Sequence, residues 1–168
     1  PVCYGFRSLW GIERQSFFIT EAINGPCLLD YLIRSWETLN QDAQESLVMK
    51  LGKFFQKIHA SRLSLPDSYI WHVYMVDQQN KGDDYEFGMI DLHRMRIHTR
   101  GTGQAAMNLG RFLFSLPEGF MDAKLQSLFF DSYLDGAFSG NKQAFIAAVK
   151  AWESKISKRR KKTVKSLS

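Results

Sequence analysis

Two aspartates stand in settings that suit acid–base and metal chemistry. Asp67 lies in Ser64-Leu-Pro-Asp67-Ser-Tyr-Ile-Trp-His72-Val-Tyr-Met-Val76, ahead of an apolar run, and Asp91 leaves a second run in Phe87-Gly-Met-Ile-Asp91-Leu-His93-Arg94-Met-Arg96. A polar stretch, residues 77–84, separates the runs and reads as the turn of an antiparallel hairpin. Antiparallel pairing brings both carboxylates to the same end. A carboxylate pair so placed suits phosphoryl transfer, in which one orients and deprotonates a hydroxyl and the other holds magnesium against nucleotide phosphates. His72, five residues after Asp67, falls where a second polar metal ligand would stand.

Each residue also has an ordinary structural reading. Asp67 follows Pro66 and could serve as a turn or cap residue. Asp91 sits beside a core strand, where a carboxylate is costly unless paired or bound to metal, and its neighbours Arg94 and Arg96 offer a salt bridge. A histidine on an apolar strand, such as His72, is commonly a hydrogen-bonded core residue. His93 and His98 lack a nearby cysteine or third ligand, which argues against zinc. The combination is far more specific than any member.

The surrounding elements follow from periodicity. Ser16-Phe-Phe-Ile-Thr-Glu21 reads as a buried strand entering the turn Asn24-Gly25-Pro26, and residues 2–6 as a weaker strand. From Pro26, the recurrence of Leu28, Leu29, Leu32, Ile33 and Trp36 predicts a helix to about Thr38. Asn40 or Asp42 can cap a second helix, whose apolar face is Leu47, Leu51, Phe54, Phe55 and Ile58 and which ends near residues 59–61. Strands are expected over 69–76 and 85–92. Helices are expected over 105–115, stopped by Pro117, over 122–134, stopped by Asp135-Gly136, and over 141–156 with Asn141 as the cap. This order describes a mainly helical α+β domain.

The 168 residues suit one domain with a sizeable core, and 45% hydrophobic content makes it globular. No apolar run approaches the roughly 20 residues of a spanning helix, and no signal-peptide pattern opens the chain, so a soluble protein is expected. The chain begins at Pro1 without an initiator Met, so an upstream segment is expected to be missing. Cys3 and Cys27 are too few for a disulfide framework and are expected to be buried apolar residues in a reducing compartment. The net charge is +5, but Lys155, Lys158, Arg159, Arg160, Lys161, Lys162 and Lys165 crowd the last fourteen residues, and without those seven the rest stands at −2.

Together, Pro66-Asp67-Ser-Tyr-Ile-Trp-His72-Val-Tyr and Ile90-Asp91-Leu92-His93-Arg94-Met-Arg96-Ile97 resemble the bacterial lipopolysaccharide kinase (Kdo/WaaP) family, the inner-core heptose and Kdo kinases. These are small-molecule relatives of protein kinases. Ile-Asp-Leu-His-Arg in place of Asp-Phe-Gly, and His in place of the usual Asn, look most like the heptose kinase branch. The resemblance implies a protein-kinase-like fold, with the end of the N-lobe and hinge in residues 1–25, the helical C-lobe in 26–154 and a basic tail in 155–168. It implies ATP and Mg2+ as cofactors and the lipopolysaccharide core glycolipid as partner. Asp67 would be the catalytic aspartate, Asp91 and His72 the metal ligands, and the hinge at Glu21, Ala22 and Ile23 the adenine contact. Arg94 and Arg96 would bind phosphate or the anionic sugar. Residues 54–59 are similar to the helix before the catalytic loop and 109–115 to the helix that underpins the large lobe.

The chain departs from that pattern in several places. It has no glycine-rich phosphate loop, and its first lysine, Lys50, lies past the hinge, so the phosphate-pairing lysine and its helix glutamate are missing. Pro66 and Leu65 replace the usual Arg and His, and Asn108 stands where relatives often carry Asp. An N-terminally truncated chain is the simplest expectation, and this one is expected to turn over ATP poorly. An aminoglycoside-like phosphotransferase and a non-catalytic kinase-like binding module are the alternative readings.

The basic tail is either a solvated helix end or a segment drawn to an anionic membrane surface. It lacks interleaved aromatics, and no basic groove matches it, which argues against nucleic acid. The resemblance implies a cytoplasmic protein, peripheral on the inner face of the bacterial inner membrane if the tail binds there.

Overall fold

Capping and apolar spacing account for most of the elements in the computed structural model, which describes residues 3–10, 12–19, 22–76, 85–136 and 140–167. Strands β1 (Cys3–Leu9) and β2 (Ile12–Ile19) form an antiparallel hairpin, turned at Trp10, with an irregularity at Arg7/Ser8. Both begin and end differently from the expected 2–6 and 16–21. Glu21 and the 77–84 turn lie outside the described residues.

Helix α1 (Leu28–Ser35) buries Leu28 and Leu32 and ends in a 3-10 turn at Trp36–Thr38. Helix α2 (Gln41–Ala60) is capped by Asn40, whose side-chain oxygen accepts from Ala43 N at 2.8 Å. Such a cap contributes about 1 kcal/mol. Helix α3 (Gly103–Ser115) stops before Pro117, which cannot supply a backbone N–H. Asp122 caps α4 (Ala123–Leu134), and Gly136 at φ 73° follows its end. Asn141 accepts from Ala144 N at 3.0 Å to open α5 (Lys142–Leu167), which runs well past residue 156. Lys and Arg are good helix formers, so the cationic run prolongs the helix rather than ending it.

Strand β3 (Val73–Val76) pairs antiparallel with β4 (Glu86–Met89), from Val73 opposite Met89 to Val76 opposite Glu86. The expected strands over 69–76 and 85–92 are thus each cut to four residues. A 3-10 turn at Ile70–His72 replaces the start of the first, because His72 N bonds back to Tyr69 O. Asp91 lies two residues beyond β4 in a left-handed conformation, φ 60°.

Phe55, Phe112 and Phe129 form the centre of the core, one from each of α2, α3 and α4, with ring centroids 4.7 to 6.4 Å apart. Two glycines allow the helix pairs to close. A Cβ at Gly52 would stand 2.5 Å from Phe129 O, so α2 and α4 approach backbone to backbone there. A Cβ at Gly110 would stand 2.6 Å from the Trp152 Cβ, and this fixes α3 on α5. Among the described residues no helix is long and apolar enough to cross a membrane. Cys27 is a free, half-buried thiol 3.5 Å from Trp71 O, not the fully buried residue expected; the Cys3 side chain lies outside the described residues.

Candidate active site

The loop carrying Asp67 is fastened to α3. Ser64 and Arg96 exchange two backbone hydrogen bonds of 2.9 Å, and Thr99 N donates to Arg62 O at 3.0 Å. Ser68 Oγ donates to Asn108 O at 2.8 Å, Ile70 N to Ser115 Oγ at 2.8 Å, and the Arg111 guanidinium to Pro66 O. With its amide oxygen toward the loop, the buried Asn108 side chain accepts from Leu65 N at 2.8 Å and donates to Gln104 O at 3.1 Å. The opposite orientation would face that oxygen only with acceptors. Asn108 therefore holds the loop backbone in place.

Behind Asn108 lies His59, whose Nδ1 meets the Tyr133 hydroxyl at 2.9 Å and whose Nε2 meets the Asn108 amide oxygen at 3.3 Å. Burial pushes the His59 imidazole down from 6.5 to about 4 and the Tyr133 phenol up. The neutral ring carries its proton on Nε2 and accepts from Tyr133 on Nδ1. This chain of contacts runs from the helical core to the backbone two residues before Asp67.

Asp67 and Asp91 meet as the hairpin topology requires. Ligand atoms of Asp67, Asp91 and His93 lie within 4.8 Å of one another. One Asp67 oxygen, Oδ1, accepts from the Arg94 guanidinium at 3.1 Å; the other, Oδ2, is buried and has no partner. Asp91 Oδ1 is bonded by His93 Nδ1, and Asp91 Oδ2 lies 3.6 Å from His72 Nε2. His72 Nδ1 donates to Asp67 O at 2.7 Å, which turns Nε2 toward Asp91. Arg94 thus pairs with Asp67 rather than with Asp91, and the Arg96 side chain is exposed while its backbone holds Ser64.

Ile23 packs over β4, since a Cβ at Gly88 would lie 3.2 Å from its Cδ1; Ala22 is exposed, and Glu21 lies outside the described residues. His93 was not expected in the cluster. Nor were Arg111, Ser115 and the role of Asn108, although polar residues at 104, 108, 111 and 115 repeat at helical spacing along an otherwise apolar helix. That stripe was the available signal.

Two hard carboxylate oxygens, one of them unpartnered, suit magnesium, which prefers oxygen ligands. Asp91 would hold the ion, with His72 Nε2 or an Asp67 oxygen beside it. A cavity of about 560 Å3 between α3 and α5, lined by Phe114, Met121, Lys150 and Glu153, lies away from these groups.

A search of curated proteins finds no match. A solved structure described as WaaP in complex with acyl carrier protein shares the fold, with a TM-score of 0.72 at 20% identity, over 93% of this chain and 66% of that one. This chain therefore spans just under two thirds of that protein's length, and its architecture is that of a protein-kinase-like fold, chiefly the helical lobe. The model of the Kdo: Lipopolysaccharide kinase (Kdo/WaaP) family matches residues 1–133, and the chain belongs to that family.

Proposed function

We propose that this chain is part of an ATP-dependent kinase that phosphorylates a sugar of the lipopolysaccharide inner core, heptose rather than Kdo. The observation that carries the reading is the state of Asp67: Oδ1 is tied to Arg94, while Oδ2 is buried and unpartnered. An unsatisfied buried carboxylate oxygen costs on the order of 1–3 kcal/mol or more, and an acceptor hydroxyl would satisfy it. Asp67 Oδ2 orients that hydroxyl and takes its proton as the sugar oxygen bonds to the γ-phosphorus and the bond to the bridging oxygen breaks. Asp91 and His72 would hold magnesium, which would supply charge neutralisation at the nucleotide phosphates. His93 keeps the Asp91 carboxylate turned toward that position.

Arg94 serves as the orienting partner of the base, and Arg96 is available to the anionic acceptor. Ala22 and Ile23, with Glu21, form the adenine-contacting hinge; Ile23 against Gly88 couples that hinge to the strand leading to Asp91. The heptose preference rests on the His72 and Ile90-Asp91-Leu92-His93-Arg94 pattern. The reading places the protein in the cytoplasm, at the inner face of the inner membrane.

The test is transfer of labelled phosphate from ATP to dephosphorylated lipopolysaccharide core under single-turnover conditions, with magnesium-dependent nucleotide binding measured alongside. Asp67→Asn should abolish transfer and spare nucleotide binding, while Asp91→Ala should remove the magnesium-dependent part of that binding. Transfer by Asp67→Asn at the parent rate would remove the base assignment. Unchanged nucleotide affinity in Asp91→Ala would remove the metal assignment.

A further inference from the structure

The stretch that carries Asp91 continues past the reacting groups into an exposed strip. Residues 90–98 are exposed without a break, including Ile90, Leu92, Met95 and Ile97 at 39 to 59% of their full exposure. Single exposed aliphatic residues are ordinary, but four within eight positions are not. They alternate with basic groups: residues 90–100 hold three arginines and two histidines against one carboxylate, Asp91, which is already engaged by His93. Arg96 and Arg100 meet no carboxylate among the described residues. At the isolated Ser64–Arg96 bridge the exposed Met95 and Ile97 flank Arg96 in the chain.

We propose that residues 90–100 dock on an anionic lipid bilayer, with Leu92, Met95 and Ile97 entering the interface and Arg96 and Arg100 meeting lipid phosphates. Aliphatic side chains interleaved with arginines match an interface that is apolar a few ångströms below a layer of phosphate. A protein partner fits less well, because eleven residues fall short of the roughly 20–30 a side that stable interfaces use. The position matters too. Arg94 touches Asp67 and Asp91 lies within the segment, so whatever covers this strip must leave the acceptor's path open. A bilayer that carries the acceptor does so. This docking is separate from the basic end of α5 and rests on the reading of the site as acting on a membrane glycolipid.

The test is sedimentation of the chain with vesicles of phosphatidylcholine alone and of phosphatidylcholine with phosphatidylglycerol, without nucleotide or acceptor. Met95→Ser with Ile97→Ser leaves every charge in place, so the contribution of the α5 tail is unchanged. The expected result is binding to anionic vesicles only, weakened about tenfold in the double variant and about fivefold by Arg100→Gln. Ile97→Trp should gain quenching from brominated acyl chains, a readout that needs no loss of binding. Equal binding by the parent and the double variant, or no binding to either vesicle, overturns the proposal. So does concentration-dependent self-association of the parent that the double variant loses, since that would make the strip a protein interface. Vesicle binding without phosphate transfer would remove the kinase reading alone; transfer to a soluble core oligosaccharide without vesicle binding would remove the docking alone.

Discussion

Protonating His59 is expected to loosen the fold as the pH falls through the mildly acidic range. The ring is ordinarily half-protonated near 6.5, and burial holds it at about 4. Its polar neighbours are the Tyr133 hydroxyl and the Asn108 amide, and no carboxylate hydrogen-bonds to it among the described residues. The unfolded chain therefore takes up the proton first. His59 costs nothing above pH 6.5, and stability falls as pH drops from about 6.5 to about 4, below which this contribution levels off. At about 1.4 kcal/mol per pH unit, the loss is about 3 kcal/mol. That is a large share of the roughly 5–15 kcal/mol a domain of this kind has. Urea unfolding at pH 7, 5.5 and 4.5 reads it directly. Lysine partners lower the carboxyls of Glu45 (Lys124) and Asp135 (Lys53) while burial raises that of Glu153, so the comparison with a non-titrating variant isolates the histidine's share. His59→Gln keeps hydrogen-bonding capacity without titrating and should flatten the slope. A flat profile in the parent, or an unchanged slope in His59→Gln, would refute the argument that burial without a counter-charge sets the state of this ring.

Two further expectations test packing and the support of the loop. Gly110→Ala should lower stability by about 1–3 kcal/mol, because its Cβ would press on Trp152 Cβ and on Val149 O at 2.9 Å; Gly103→Ala, with nothing within 4 Å, should not, and equal thermal midpoints for the two would contradict the close approach of α3 and α5. Asn108→Asp would put a carboxylate beside His59 Nε2, raise that histidine's pKa and shrink the acid loss described above; an NMR titration of the His59 ring that does not move would exclude the contact.

The helices were legible because each carries local signals that do not depend on the rest of the fold. Asn40, Asp122 and Asn141 cap where their side chains suggest, and Pro117 and Gly136 mark ends. Strand lengths were less legible. The Ile70–His72 turn is driven by Tyr69 O accepting from His72 N, and an apolar β-branched run gives no sign of that. The convergence of Asp67 on Asp91 followed from antiparallel pairing alone. Their partners did not follow, because Arg94 and Arg96 both lie close to Asp91 in sequence, and only the fold sends Arg94 across to Asp67. His93 was set aside for want of a third ligand, which proved to lie 26 positions away at Asp67.

The paired backbones of Ser64 and Arg96, with Thr99 on Arg62 and Ile90 N on His72 O at 3.0 Å, make the two carboxylate-bearing loops a single jaw. Its aperture is therefore internal to the helical half of the molecule and, on the proposed reading, would not depend on how far a nucleotide-bearing lobe had swung. Lobe closure would alter when a phosphoryl group arrives, while the spacing it arrives at stays constant. Hinge substitutions should accordingly change nucleotide residence and leave the alignment of base and metal ligand as it was, so the two properties could drift independently between members of one family.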